Sequence, residues 1–459
     1  MGNNITKTSA SSGIHELTIR QYHAALLRQQ TTCAATIEAY LAQIARHNST
    51  LKAILTVNSG ALREAHLKDR ELASMGNGDV SLPSLYGVPI VLKDTFTTAF
   101  LPTTSGVKAL RSLITDSSCT VVENLLSHAV ALAANMGLVG CGGDTMNSLR
   151  SPASACAIVG FRPTKGQISR QGIVPVTETQ DVAGPMGRSV DDVRILFNAM
   201  RSKGEPENVK VSTARPSLEP PQIRIGMLED YLGDDSTAEG KTVNTVIHQA
   251  LSSIQSRATV EVVLIPRNPN WDVPLLREEA DMQAYEFRTL IDAFLQSPTV
   301  QTPHTSLASI AASGEYNQDA MTAVFEKTLQ GGESTPTSAE YRRRLERIEL
   351  LTESVNRCFA EHGLTALVYP HQRQLVAPVG YKAQPGRNGI LAALTGRPAI
   401  CIPAGFSPKT PSAPQGIPIG IEIMGQPWHD EEILNLAETF ETILSARKPP
   451  ISTNHVHTT

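Results

Sequence analysis

Aromatic residues are scarce in this 459-residue chain, at 5% of the total. So little ring surface argues against base-stacking platforms and against an all-β sandwich. An excess of one charge is missing too. Forty Lys and Arg stand against 44 Asp and Glu, for a net charge of −4. That balance exerts no global pull toward nucleic acid or an anionic membrane. No apolar run is long enough to span a bilayer, and none follows the polar start, so neither a transmembrane helix nor a secretory signal is expected. The six cysteines, Cys33, Cys119, Cys141, Cys156, Cys358 and Cys401, form no Cys-x-x-Cys pair. Their spacing suits neither zinc nor a disulfide framework, and their apolar company predicts buried, reduced thiols and a cytoplasmic location. No Walker A loop, Gly-x-Ser-x-Gly elbow, dinucleotide fingerprint or solenoid repeat occurs. The twelve histidines contain no helical i, i+4 zinc pair, and His455 and His457 fall in a polar tail.

What is present is material for a large core: 41% hydrophobic and 18% charged residues. The length allows three domains or one large one. Residues 1–14 are rich in Ser, Thr and Asn and are expected to be disordered. Their start, Met1-Gly2-Asn3-Asn4-Ile5-Thr6, fits the loose N-myristoylation pattern. Without a polybasic patch a lipid there would bind only marginally, so no stable membrane association is expected. Apolar spacing predicts helices over 17–28 and 34–45, the second entered through Thr31 or Thr32 as a cap, then a strand over 51–57 and a helix over 61–73. A strand, helix and strand over 223–227, 241–253 and 260–265 read as a βαβ unit. Helical patterns cover 275–296 and 339–361. Short apolar strands follow at 366–369, 399–402 and 417–424, before a closing helix over 431–444.

Two spots carry candidate chemistry. In Tyr86-Gly87-Val88-Pro89-Ile90-Val91-Leu92-Lys93-Asp94 a lysine ends an apolar strand-like run. A lysine that loses hydration there favours its neutral form, which can act as a general base; the alternative is a lysine snorkelling to the surface. In Gly140-Cys141-Gly142-Gly143-Asp144-Thr145-Met146-Asn147-Ser148-Leu149-Arg150 a strand runs into a turn that presents a serine. Such a turn can set a hydroxyl beside a row of backbone N–H groups suited to a tetrahedral oxyanion, or it can be a structural turn.

In this order these segments resemble the amidase signature family of serine hydrolases. The likeness runs from Gly87-Val88-Pro89-Ile90 through Lys93-Asp94 to Asp144-Thr145 and Ser148-Leu149-Arg150. It continues in Gly160-Phe161-Arg162-Pro163-Thr164-Lys165-Gly166, Asp181, Gly184-Pro185-Met186 and Ser189-Val190-Asp191-Asp192. It returns at Gly396-Arg397-Pro398-Ala399 and Ile417-Pro418-Ile419-Gly420. The form Thr-Met-Asn-Ser-Leu-Arg resembles a fungal branch. The resemblance implies an α/β fold with a central mixed, largely parallel sheet covered by helices on both faces. It implies one domain over 15–446, with a signature core at about 85–200 and a flexible tail at 447–459. It implies a serine hydrolase cleaving the C–N bond of a small carboxamide, with Ser148 as nucleophile and neutral Lys93 as ultimate base. The backbone N–H groups of Thr145, Met146, Asn147 and Ser148 would hold the oxyanion, and Arg150 and Asp181 would brace the loop. No metal or organic cofactor is implied. The partner is a small-molecule amide, without nucleic acid; a homodimer is left open.

The same resemblance exposes a shortfall. Family members carry a relay serine in a cis peptide, within a Gly-Gly-Ser-Ser-Gly-Gly type loop between the lysine and the nucleophile. Here Lys93 and Ser148 are only 55 positions apart, no such loop exists, and Asn124 stands where the relay is expected. Family-like sequence breaks off after Leu126 and resumes at Ala129, which places a seam near Ser127-His128 and implies an internal deletion. Helical spacing from Val121 to Met136 predicts one continuous helix across it, capped by Ser117 or Ser118. Ser105, Ser127 and His128 are the candidate substitute relays. Met146-Asn147, where the broader family carries two glycines, is expected to narrow the acyl pocket. The alternative to an active amidase is a pseudo-amidase that binds a ligand or partner without turnover.

Overall fold

The structure is a computed structural model and describes residues 16–75, 81–126, 129–131, 136–201, 223–330, 338–378, 380–381 and 384–450. The expected tail at 1–14, residues 451–459 of the expected tail at 447–459, the loop at 202–221, and Ser127 and His128 lie outside these residues. Twelve strands are described: β1 (Val88–Leu92), β2 (Ile114–Thr115), β3 (Ala129–Ala131), β4 (Val139–Asp144), β5 (Val159–Arg162), β6 (Val182–Gly187), β7 (Ile223–Leu228), β8 (Val260–Ile265), β9 (Val300–Gln301), β10 (Ala366–Pro370), β11 (Ala399–Phe406) and β12 (Pro418–Met424).

Ten of them form one mixed sheet in the order β3-β1-β4-β6-β5-β11-β12-β10-β7-β8. Both wings are parallel: β3, β1 and β4 at one end, β10, β7 and β8 at the other. The strands between pair antiparallel. Alternation along β10 shows that both faces are covered. Ala366 and Val368 join one buried cluster with Ile247, Ile254 and Phe440, while Leu367 and Tyr369 join another with Leu351, Val355 and Phe359. The first cluster is supplied by helices Ala238–Arg257 and Asp430–Leu444, the second by Ala339–His362. Each face thus removes apolar surface from water, at about 25 cal/mol per Å².

Several expectations are corrected. Helix Cys33–Leu51 is capped by Thr32 as expected but runs six residues further, and residues 52–58 form no strand. Lys52 takes the left-handed C-cap conformation, and Leu55 and Val57 are exposed, with no neighbouring strand among the described residues to pair them. The expected helix over 275–296 is two helices, Val273–Glu279 and Gln283–Leu295, because Asp272 caps the first and the chain breaks at Ala280. The continuous helix across 121–136 does not form. It stops at Leu126, and Ala129–Ala131 instead pair parallel with β1. Val88 and Ile90 would otherwise present bare backbone groups at the sheet edge, and that pairing satisfies them. Neither expected serine caps the helix: it starts at Thr120, and the Ser118 hydroxyl accepts from the Ala99 N–H. Of the six free cysteines five are buried, but Cys156, just past the short helix Arg150–Ala155, is exposed. At the other end Arg447 pairs with Glu16 at 2.8 Å and donates to the Ala157 carbonyl at 2.6 Å, and Lys448 lies over the Phe406 ring. Among the described residues no helix is long and apolar enough to cross a membrane.

Candidate active site

The parallel pair β1 and β4 brings the two candidate segments to one edge of the sheet. Leu92 is in register with Cys141, and the Lys93 N–H extends the ladder to the Cys141 carbonyl at 3.0 Å. Because the strands run the same way, both chains leave the sheet at their carboxyl ends. That edge is where open α/β sheets bind ligands. Lys93 Nζ donates to the Gly143 carbonyl at 3.4 Å.

The Lys93 side chain keeps contact with solvent in a cleft, yet enough protein surrounds it to change its titration. Burial lowers its pKa below the usual lysine value; the negative charges of Asp144 and Asp181 oppose the shift without cancelling it. A larger share of Lys93 is therefore neutral at a given pH than of a free lysine.

Beyond β4, residues 145–149 turn into the helix Arg150–Ala155. Among the described residues the backbone N–H groups of Thr145, Met146, Asn147 and Ser148 make no hydrogen bond. The Leu149 N–H is taken by Asp144 at 3.1 Å. Ser148 is exposed and its hydroxyl has no partner among the described residues, whereas Asn147, Leu149 and Arg150 are buried. The turn is thus a rigid base carrying one outward serine and four bare donors.

Its rigidity comes from a buried ionic network. Arg150, fully enclosed, donates to Asp144 at 3.2 Å, to Glu422, to the Met146 carbonyl at 2.6 Å and to the Gly389 carbonyl at 2.9 Å. Arg162 donates to the Asp144 side chain at 3.0 Å and to its carbonyl at 2.6 Å. Glu422 also accepts from the Tyr369 hydroxyl at 2.8 Å and faces His371 Nδ1 at 2.6 Å. Burial alone would push the Asp144 carboxyl up, but the two guanidinium groups outweigh it and hold the pKa at about 2. Gly389 packs against the turn so closely that a Cβ there would meet the Asn147 Cβ at 2.8 Å. Asp181 sits elsewhere: it accepts from the N–H groups of Val176 and Thr177 at 2.8 and 2.9 Å and fixes that loop.

Two cavities meet at Lys93. One, of about 370 Å³, is mixed in character, with Asp144, Thr145, Arg170 and Asp181 on its wall beside Ile173, Val174 and Val182. The other, of about 350 Å³, is apolar and lies between helix Cys33–Leu51 and β1. Ser148 belongs to neither wall. Of the candidate relays, Ser105 has a positive φ of 52° and a buried hydroxyl with no partner, while its N–H is held by the Asp94 carbonyl at 2.9 Å. Asn124 directs its amide to the Met200 carbonyl at 3.3 Å. Among the described residues no cluster of His, Cys, Asp and Glu could hold a metal ion.

The roles of Arg162, Tyr369, His371 and Glu422 were not read from sequence. One signal was available. Glu422 lies in Ile419-Gly420-Ile421-Glu422-Ile423, and a charge inside an apolar strand must be paired.

A large mixed sheet flanked by helices, with lysine and serine turns leaving two adjacent parallel strands, is the amidase fold. The solved peptide amidase of Stenotrophomonas maltophilia superposes with a TM-score of 0.78 at 24% identity, covering 95% of this chain and 98% of that one. The chain belongs to the amidase family: the family described as Amidase matches residues 35–128 and 127–434. Among similar proteins, the "Probable amidase" of Arabidopsis thaliana is 26% identical over 504 aligned positions, 97% of this chain and 93% of its own length. Mandelamide hydrolase of Pseudomonas putida is 26% identical over 95% of this chain and 93% of its own.

Proposed function

We propose that this protein hydrolyses the C–N bond of a small carboxamide through an acyl enzyme on Ser148. The observation that carries the reading is the row of bare N–H groups at 145–148, held rigid by Arg150 at the strand edge that also carries Lys93. Ser148 Oγ adds to the amide carbonyl, and the oxyanion is received by those backbone donors. The hydroxyl proton passes through solvent in the cleft to neutral Lys93 Nζ and from there to the departing nitrogen. The C–N bond breaks, and water then adds to the acyl carbon and releases carboxylate and free Ser148. No cofactor enters the scheme. Family membership, the mandelamide hydrolase relative and the peptide amidase fold all favour amide substrates.

The chain is read as a fungal-type member with an internal deletion that removed the relay serine. The family match falls in two pieces that meet at residues 127 and 128. The alignment to the Arabidopsis relative spans 504 positions, more than the chain's 459 residues. Sequencing of the transcript across codons 93–148 tests this; a longer product with a Gly/Ser loop overturns it. A second reading, a pseudo-amidase without turnover, is favoured by one observation. Lys93 Nζ bonds a carbonyl rather than a hydroxyl, and Ser148 Oγ bonds nothing among the described residues. Fluorophosphonate labelling separates the two: modification at Ser148 supports the hydrolase, and folded protein that stays unlabelled supports the pseudoenzyme.

A further inference from the structure

The apolar cavity beside Lys93 is used by nothing described so far. It is concave, and its volume of about 350 Å³ is of the size that small molecules occupy. Its mouth carries three large exposed hydrophobic side chains, Leu55 at 66%, Val57 at 44% and Phe100 at 48%. Such side chains scatter singly over most surfaces, and their convergence on one opening marks a place where apolar matter is received. The wall is contributed from both sides of the 127–128 junction: Val122 and Leu125 precede it and Met136 follows it. Strand β1 supplies Ile90, Val91 and Leu92 to the same wall.

Its inner boundary fixes how a ligand lies. Lys93 is shared with the cavity of mixed lining that reaches Thr145, so a molecule spanning both passes the Lys93 amine. In the reaction scheme Lys93 returns its proton to the departing nitrogen, which must therefore face Lys93. Whatever that nitrogen carries then extends past Lys93, away from Thr145 and into the apolar cavity.

We propose that the apolar cavity between helix Cys33–Leu51 and β1 binds the hydrocarbon or aryl N-substituent of a secondary amide. The inference rests on the reading of Lys93 as the base for the orientation it assigns. The apolar walls reject a charged substituent, and the exposed mouth lets the chain end emerge.

The test uses the full chain and two readouts. N-phenyl-1-naphthylamine, a neutral apolar fluorophore, is titrated into the protein and displaced with N-butyl-, N-hexyl- and N-octylacetamide. Saturable fluorescence is expected, with displacement tightening about three- to fourfold for each added methylene. Ala53→Trp places a ring across the mouth from an exposed position and is expected to weaken probe and amides at least tenfold; Phe100→Glu serves where that variant fails to fold. The second readout is kcat/KM for the same amides, expected to rise with N-chain length in the parent and to stay flat in Ala53→Trp. An absent chain-length trend, or an Ala53→Trp variant that binds like the parent, overturns the inference whether or not turnover is seen. A binding trend without turnover upholds the cavity and removes the hydrolase reading instead.

Discussion

Lys93 Nζ and the Gly143 carbonyl stand 3.4 Å apart across two parallel strands, and that contact ties the base candidate to the segment that presents the serine. A carbonyl can accept from an ammonium but cannot pass a proton onward. The contact therefore positions Lys93 while leaving the proton path to Ser148 unbuilt by protein groups among the described residues.

Ser148→Ala is expected to abolish fluorophosphonate labelling and lower amide turnover by roughly 10³-fold or more, since nucleophile and base act as a unit. The side chain is exposed and makes no hydrogen bond among the described residues, so the variant should unfold within about 0.5 kcal/mol of the parent. Urea titration alongside the labelling assay checks both halves.

The labelling rate should rise with pH. Burial lowers the Lys93 pKa, and only the neutral amine accepts a proton, so the rate climbs as pH approaches that pKa from below and levels above it. The midpoint should fall below the ordinary lysine value of 10.5. Lys93→Met removes the rise; an unchanged profile in that variant excludes Lys93 as base.

Arg150→Met should destabilise the fold by about 3–5 kcal/mol, because Asp144 and Glu422 keep their burial and lose their partner. The network also makes stability acid-sensitive. Asp144 has a folded pKa of about 2, below its unfolded value near 3.9. Its contribution is complete above the unfolded value and drains away as pH falls from about 4 to about 2. Denaturant midpoints at pH 2.5 and 6 measure the difference, which the Asp144→Asn variant should reduce.

Glu441 should act in the opposite sense. Burial, aided by Asp192 and against the Val190 N–H that it accepts at 3.1 Å, raises its pKa to about 7. A raised carboxyl stays protonated in the fold while the unfolded chain ionises. Stability from this group is present below the unfolded pKa near 4.3 and is lost as pH rises toward 7. Glu441→Gln keeps an acceptor for Val190 and removes the titration, so its melting temperature should exceed the parent's at pH 8 and match it near pH 4.

How much of this was legible in the sequence follows from the range of the interactions involved. Strands β7, β10 and β12 announced themselves as short apolar runs, because burial on both faces demands side chains that water rejects; β8, a half-buried edge strand, was marked by its apolar run alone. The helix expected over 34–45 was marked by Thr31 or Thr32 as its cap, and Thr32 takes that place. Local spacing misjudged residues 51–57 and 121–136, since an apolar run becomes strand only where a neighbour offers its backbone. Near residue 55 no neighbour came, and at 129 the open edge of β1 did.

The scarcity of rings, of charge excess and of cysteine motifs left an α/β chain with few chemistries open, and the ordered Lys93 and Ser148 segments resembled a family to which the chain proved to belong. Sequence alone also pointed to a seam near Ser127-His128, and the family match divides at residues 127 and 128. The tertiary structure decided what distant residues do together. It joined Asp144 and Arg150 to Arg162 and Glu422 in one buried network and left four backbone donors at 145–148 without partners among the described residues. It also opened an apolar cavity beside Lys93, between helix Cys33–Leu51 and β1. Pairing of buried charge and the shape of a void depend on approach in space across hundreds of residues, and no local pattern in the chain encodes them.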